Sequence, residues 1–270
     1  MALLDNPYDV AVDGNGNVYI ADTENNRVRK VADSGIATYF PQFVAGGGWS
    51  SLFTIVNIAQ TQGSGNLIFR DSQGNPLSVD IELTDSSGTI HPVQTSSSYS
   101  FSIPAGGSII LSAASSMQSI SAGNAIRTGW AQLISAGSLS GFVTYEYANG
   151  TATECIVSVP QSQLTANAVI PVHMDAGTSR QPAYALANPG SQPISVHMIL
   201  KGQDGTVVEE PIVIDLGPGE QIARYLLQDV ARDDFKGTLV LSAPEGGSFA
   251  AFAFLDKEGL LAAIPLIRTP

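Results

Sequence analysis

Three histidines, His91, His173 and His197, are the side chains of this 270-residue sequence best suited to metal or acid–base chemistry. Three imidazoles could hold zinc or copper if the fold brought them together. No His-x-His or His-x-x-x-His spacing joins them. His173 and His197 are each followed by methionine, Met174 and Met198, a soft ligand. Both pairs fall in segments that read as strands, where successive side chains point to opposite faces, so neither pair can chelate as a unit. A second arrangement is Asp13, Asn15, Asn17 and Glu24, at positions 1, 3, 5 and 12 of a calcium loop. Position 6 is Val18, where that loop needs glycine, and the flanks read as strands. An Asx-rich turn is the simpler reading, and these four are weak metal candidates only.

The nucleophiles are as sparse. Gly137-Ser-Leu-Ser-Gly141 approaches a Gly-x-Ser-x-Gly elbow, but its centre is Leu139. Cys155 sits in the apolar run Cys155–Val159 with no histidine close in sequence, so it reads as a small buried hydrophobe. Glu146 and Glu154 fall on neighbouring predicted strands and could face each other as a carboxylate pair, although a solvated sheet face is the simpler reading. Gly46-Gly-Gly48 has neither a lysine nor a following helix, which excludes a phosphate loop. No cofactor is implied. Trp49 and Trp130 could stack on a sugar if exposed, and otherwise bury a large apolar area. The low-specificity ligand candidates are therefore Trp49, His91, Trp130 and His173.

The elements that must position these residues are short strands. Val10 and Val12, then Val18 to Ala21, then Val28 and Val31 alternate with turns at Asp13–Asn17 and Asp22–Asn26. The pattern Pro7…Val10-Ala-Val-Asp13…Gly16-Asn-Val-Tyr-Ile-Ala-Asp22…Asn26-Arg-Val28 closely resembles one NHL repeat, a blade of a β-propeller. The resemblance covers residues 5–31. It implies neighbouring blades, typically four to eight in a propeller, and no second copy occurs in the sequence. The chain thus reads as the downstream part of a longer protein. The orphan blade must cover its apolar face on the first sandwich, on a second copy of the chain as a dimer, or stay mobile.

From Thr38 the texture changes to runs of six to ten apolar or alternating residues separated by Gly, Asn, Asp and Ser turns. This is the spacing of an all-β sandwich. The one short helix expected is Tyr225–Arg232. The second half repeats the first: Phe40-Pro…Asn57 aligns with Ile170-Pro…Asn188, and Gly74 and Gly205 each follow 17 residues later. Ile103-Pro-Ala-Gly-Gly-Ser-Ile aligns with Leu216-Gly-Pro-Gly-Glu-Gln-Ile, and Gly141–Tyr147 with Ser248–Phe254. On that last match Tyr145, Tyr147, Phe252 and Phe254 are core. The first copy carries about 18 extra residues near Glu82–Ser100. The expected organisation is a blade at 1–37, a first sandwich at 38–161 and a second at 167–270, all-β and related by duplication. The sandwiches resemble the Ig-like or fibronectin-like modules that follow propellers in large secreted bacterial proteins.

Composition narrows the partners. The sequence has 24 acidic and 12 basic residues, a net charge of −12, spread as −3, −4 and −5 over residues 1–38, 39–165 and 166–270. No basic surface is available for a nucleic-acid backbone. No apolar run approaches the ~20 residues of a membrane-spanning helix. One cysteine excludes an internal disulfide. The start of the sequence has no basic and apolar leader pattern, so an extracellular or surface location is expected only as part of a longer secreted protein. The favoured reading is a non-catalytic structural, adhesion or ligand-binding module with a carbohydrate or protein ligand. Two alternatives are a hydrolase or metal-dependent enzyme with a site between the sandwiches, and a carbohydrate-binding module using exposed tryptophan.

Overall fold

The computed structural model describes residues 5–12, 18–31, 36–114, 126–136, 138–149, 152–244 and 246–269. Strand alternation dominates it. The blade is an antiparallel sheet of β1 (Pro7–Val12), β2 (Val18–Asp22) and β3 (Arg27–Val31) in that order. Its turn at Thr23–Asn26 is organised by Asp22, whose buried carboxylate accepts from the Asp5 amide at 2.8 Å, from Asn25 at 3.0 Å and from Arg29. Burial would raise this carboxyl's pKa, but the bonds from Asn25, the Asp5 amide and Arg29 outweigh it and lower it to about 2.

The first sandwich comprises β4 (Ile36–Ala45), β5 (Trp49–Asn57), β6 (Gly63–Arg70), β7 (Val79–Thr84), β8 (Gln94–Ser96), β9 (Ser98–Ile103), β10 (Ser108–Ala114), β11 (Arg127–Ala136), β12 (Leu139–Asn149) and β13 (Ala152–Pro160). They form one sheet in the order β13-β12-β5-β10-β7-β8 and a second in the order β4-β11-β6-β9. Phe40, Phe43, Phe53, Ile55, Leu67, Phe69, Leu111 and Leu133 fill the layer between them. β13 shows why these residues make strands: Cys155, Val157 and Val159 alternate inward with exposed neighbours.

The second sandwich comprises β14 (Asn167–Met174), β15 (Arg180–Ala187), β16 (Ile194–Gly202), β17 (Ile212–Leu216), β18 (Gln221–Tyr225), β19 (Phe235–Ser242), β20 (Ala250–Lys257), β21 (Leu260–Ile264) and β22 (Ile267–Arg268). Its sheets run β17-β16-β19-β14-β22 and β18-β15-β20-β21. Strand for strand this is the order of the first sandwich, with β14 in the place of β4, β15 of β5 and so on. The hairpin β7–β8 is the extra element of the first copy, and it extends the edge beside β10. In place of the expected helix at Tyr225–Arg232 there is a single 3-10 turn, Leu226–Gln228. The next residue, Asp229, is held by Arg224 and Tyr184, which fixes the chain in a tight corner.

Asn57 and Asn188 make the duplication chemically explicit. Each is buried at the end of a central strand. The Asn57 amide donates to the carbonyls of Thr61, Ile103 and Pro104, and its oxygen accepts from Ala59 N–H. The Asn188 amide donates to Gln192, Leu216 and Gly217, and its oxygen accepts from Gly190 N–H. The Ile103 carbonyl lies 46 residues beyond its asparagine and the Leu216 carbonyl 28 beyond, a difference of 18 that matches the extra hairpin.

One alignment is corrected by the registers. Ile55 pairs with Gly141, whereas Leu186, its counterpart, pairs with Ala251. The last strands are therefore offset by three residues from the sequence match. Phe249, Ala251 and Ala253 enter the second core, and Phe252 and Phe254 point the other way, towards the first sandwich. Tyr145 does sit in the first core, while Tyr147 is half-buried.

Candidate functional site

The two sandwiches meet through β4 and β11 on one side and β15, β18 and β20 on the other, and edge strand β13 lies against edge strand β21. Trp130 is 1% exposed, and its indole N–H donates to the Gly219 carbonyl at 2.8 Å. Tyr39 packs against it, and Ala187 and Ala250 complete the cluster from the second sandwich. Gly74 and Gly219 touch backbone to backbone at positive φ (86° and 78°), and a Cβ on Gly74 would lie 2.8 Å from Gly219. Only glycine fits both the conformation and the approach. Gln221 N–H donates to Ser72 O, and the side chains of Gln221 and Gln42 bond at 2.6 Å. The linker joins in: Tyr39 and Ser162 exchange both backbone hydrogen bonds, and Ser162 Oγ accepts from Ala251 N–H.

The second sandwich is shaped for this contact. Ala183, Ala185 and Ala187 of β15 occupy alternate positions and pair with Tyr225, Ala223 and Gln221 of β18. Small side chains let the neighbouring layer approach closely. An aromatic ladder crosses the boundary, with Tyr145 and Phe252 centroids 6.1 Å apart and Phe252 and Phe254 5.5 Å apart. Beyond β4 the contact opens into a cleft of about 330 Å³ lined by Gln42, Ala183, Arg224, Tyr225, Gln228 and Phe254 among others. Tyr225 is 37% exposed, and its hydroxyl donates to Asp256 at 2.6 Å. Burial first, and then the Asp256 carboxylate, push its phenol up to about 12. Tyr184 donates to Asp229, which also takes Arg224. Burial and that carboxylate push the Tyr184 phenol far above its usual value. Both phenols therefore stay protonated at neutral pH.

The residues singled out from sequence do not converge. Trp130 is an interface anchor with its one donor already bonded, which removes it as a ligand platform. Trp49 is half-buried and tilts against Tyr147 at 5.0 Å. His91 sits on the β7–β8 hairpin, its Nε2 2.8 Å from Asp85. Asp85 is held well below the usual carboxylate range by Ser87, then His91, then the Thr89 amide. His173 and His197 lie on the outer face of the same sheet, opposite Lys236 and Ser242 of β19. Six residues of strand separate those points, about 20 Å. Met174 and Met198 are buried in the core behind them, so each His–Met pair is split as strand alternation requires. Glu146 faces Ile156, and Glu154 is the residue left unpaired at the bulge between Tyr147 and Ala148. Asp13, Asn15 and Asn17 lie outside the described residues, and Glu24 is exposed in the blade turn. Among the described residues no three His, Cys, Asp or Glu side chains are grouped to hold a metal.

Sequence reasoning missed Arg224 and Gly219, and read Tyr225 as the start of a helix and Phe254 as core. The alternating alanines of β15 were the available signal, since alanine at period two marks one face of a strand that a neighbouring layer approaches closely.

With this geometry in place, comparison with known proteins adds one family. The NHL repeat model matches residues 4–31, the blade. No curated protein matches the chain. Among solved structures, a chain of the infectious bursal disease virus Gx strain structure is 12% identical, covering 97% of this chain and 74% of the viral one. Its TM-score of 0.19 is too low to carry an argument about fold or function. No helix among the described residues is long and apolar enough to cross a membrane.

Proposed function

We propose that this chain is a non-catalytic, extracellular binding or presenting module. In this reading an NHL-type blade joins it to neighbouring blades or a second copy, and two locked sandwiches hold it as a stiff arm. The observation that carries this is the Trp130–Gly219 contact. It ties the two sandwiches across their boundary, the place where a two-domain enzyme commonly keeps its site. Support from the blade is twofold: NHL repeats belong to propeller-type interaction modules, and Val10 and Val28 stand exposed (57% and 69%) on opposite faces of its sheet, with Tyr8 exposed at the bulge (86%). Small-angle scattering tests stiffness. One fixed sandwich–sandwich distance is expected, and a broad distribution in the intact protein sinks the proposal, as does turnover of a substrate. Sedimentation across a concentration series tests the second copy.

A second reading rests on the open end of the interface. Tyr225 and Phe254, with the amides of Gln42 and Gln228 beside them, offer a flat face and polar edges suited to a sugar ring, in place of the tryptophans. Tyr225→Ala should abolish any glycan binding that the intact protein shows. Retained binding in that variant removes the cleft from consideration.

A further inference from the structure

The face by which the first sandwich docks has an uncovered counterpart on the second. In the first copy Trp130 pairs across from Arg70, whose guanidinium lies over the indole. At the same register point of the second copy, Thr238 pairs across from Lys201. The anchoring indole is gone, and cations gather in its surroundings. Lys236, two residues along, pairs directly with His173. Alternation puts Lys201, Lys236, Thr238 and His173 on the outer face, since Leu200, Leu239, Val172 and Met174 are the core residues of those strands. Arg180 adds its guanidinium, with Nη1 2.5 Å from His173 Nδ1. This chain of net charge −12 places two of its four lysines on this face.

His173 supplies an independent observation. A guanidinium only donates, so Nδ1 is the acceptor and the neutral ring carries its proton on Nε2. Desolvation, then Arg180 and Lys236, lower the pKa of this histidine and favour that neutral form, against an opposing pull from Asp175. The Nε2 donor is buried and finds no acceptor among the described residues. The nearby carboxylates are already engaged. Asp175 caps the Ala176–Thr178 turn, Asp234 accepts from Ala176 N–H, and Asp204 accepts from Thr206. A cleft of about 520 Å³ opens at this point, lined by His173, Lys236, Thr238 and Gln203 with Gly202 and Gly237.

We infer that this cleft binds an oxyanion: a carboxylate, sulfate or phosphate group. Its oxygens take the Lys236 ammonium and the Thr238 hydroxyl, Lys201 and Arg180 neutralise its charge, and the His173 N–H gains the acceptor it lacks. The experiment is a titration of the full chain with sodium sulfate at ionic strength held constant with chloride, read by NMR. Saturable shifts confined to His173, Lys236, Thr238 and Gly202 are expected, with a rise in the His173 pKa, because a bound anion favours imidazolium. Lys236→Gln should weaken binding about tenfold or more, the worth of one charge-assisted hydrogen bond. Arg127→Gln, on β11 of the first sandwich, should leave it unchanged. A sulfated tetrasaccharide saturating well below sulfate would place the group on a polymer, and equal concentrations a free ion. Non-saturating shifts, shifts matched by chloride, or equal affinity in Lys236→Gln overturn the inference.

Discussion

Asp22 and the two asparagines show how single residues organise this protein. Asp22 fastens the blade turn through three donors, and its carboxyl is lowered from 3.8 to about 2. A depressed carboxylate contributes stability that is present above its unfolded pKa and is lost as pH falls through the folded value. The blade should therefore loosen between about pH 4 and 2, while Asp22→Asn should be loose already at neutral pH. Amide exchange at Asp5 and Asn25 reads this; exchange that stays constant across the window would contradict it. Asn57 and Asn188 each hold three carbonyls and one N–H. Asn57→Ala leaves those groups buried and unpaired, at a cost of about 2–4 kcal/mol in denaturant unfolding. Asn57→Asp should cost at least as much, because a carboxylate has no hydrogen to donate. The asparagines were legible in the sequence, aligned with the correct spacing to Gly74 and Gly205. Their bonding was not, because four partners spread over 29 or 47 residues leave no local pattern.

At the scale of elements, strands were legible wherever one face is core and the other solvent. Alternation and Gly/Asp turns then mark both the strand and its ends, as at β13 and at the Asp71–Gly74 hairpin, where Asp71 accepts from Gln73 and Asn75 and Gly74 takes positive φ. Legibility fails where a strand is buried on both faces. β20 reads Ala-Ala-Phe-Ala-Phe, apolar throughout, so a three-residue slip in the repeat alignment left no polar mismatch to expose it. The consequence is a pair of phenylalanines with different duties. Phe249 belongs to the second core and Phe252 to the boundary with the first. Phe249→Ala should destabilise the second sandwich itself by about 3–5 kcal/mol. Phe252→Ala, just as buried, should leave that sandwich's own unfolding nearly intact and weaken its attachment. Residue-resolved hydrogen exchange separates the two. Equal loss of protection in β16 and β19 for both variants would restore Phe252 to the core.

At the scale of the whole molecule, the boundary between the sandwiches decides whether the protein behaves as one body. The joint has the features of an interior. A fully buried indole has its donor satisfied, two glycine backbones touch, the linker is hydrogen-bonded on both sides, and Ala185 and Phe252 of the second sandwich are continuous with the first core. Joints between domains are usually smaller and more polar, and then allow relative motion. Here the two sandwiches should unfold together in calorimetry, as one transition whose van't Hoff and calorimetric enthalpies agree. Trp130→Ala removes the largest side chain of the joint, strands the Gly219 carbonyl and leaves a cavity, for about 3–5 kcal/mol. That loss falls on the coupling rather than on either core, since Trp130 lies outside both main clusters. The variant should split the single transition into two, the less stable sandwich melting first. Gly219→Ala should do the same by a different route, because its Cβ would sit 3.0 Å from the Gly74 Cα. Two resolved transitions already in the unaltered protein would mean that the joint is too weak to couple the cores. A single transition surviving Trp130→Ala would shift the coupling to the linker strand at Ser162.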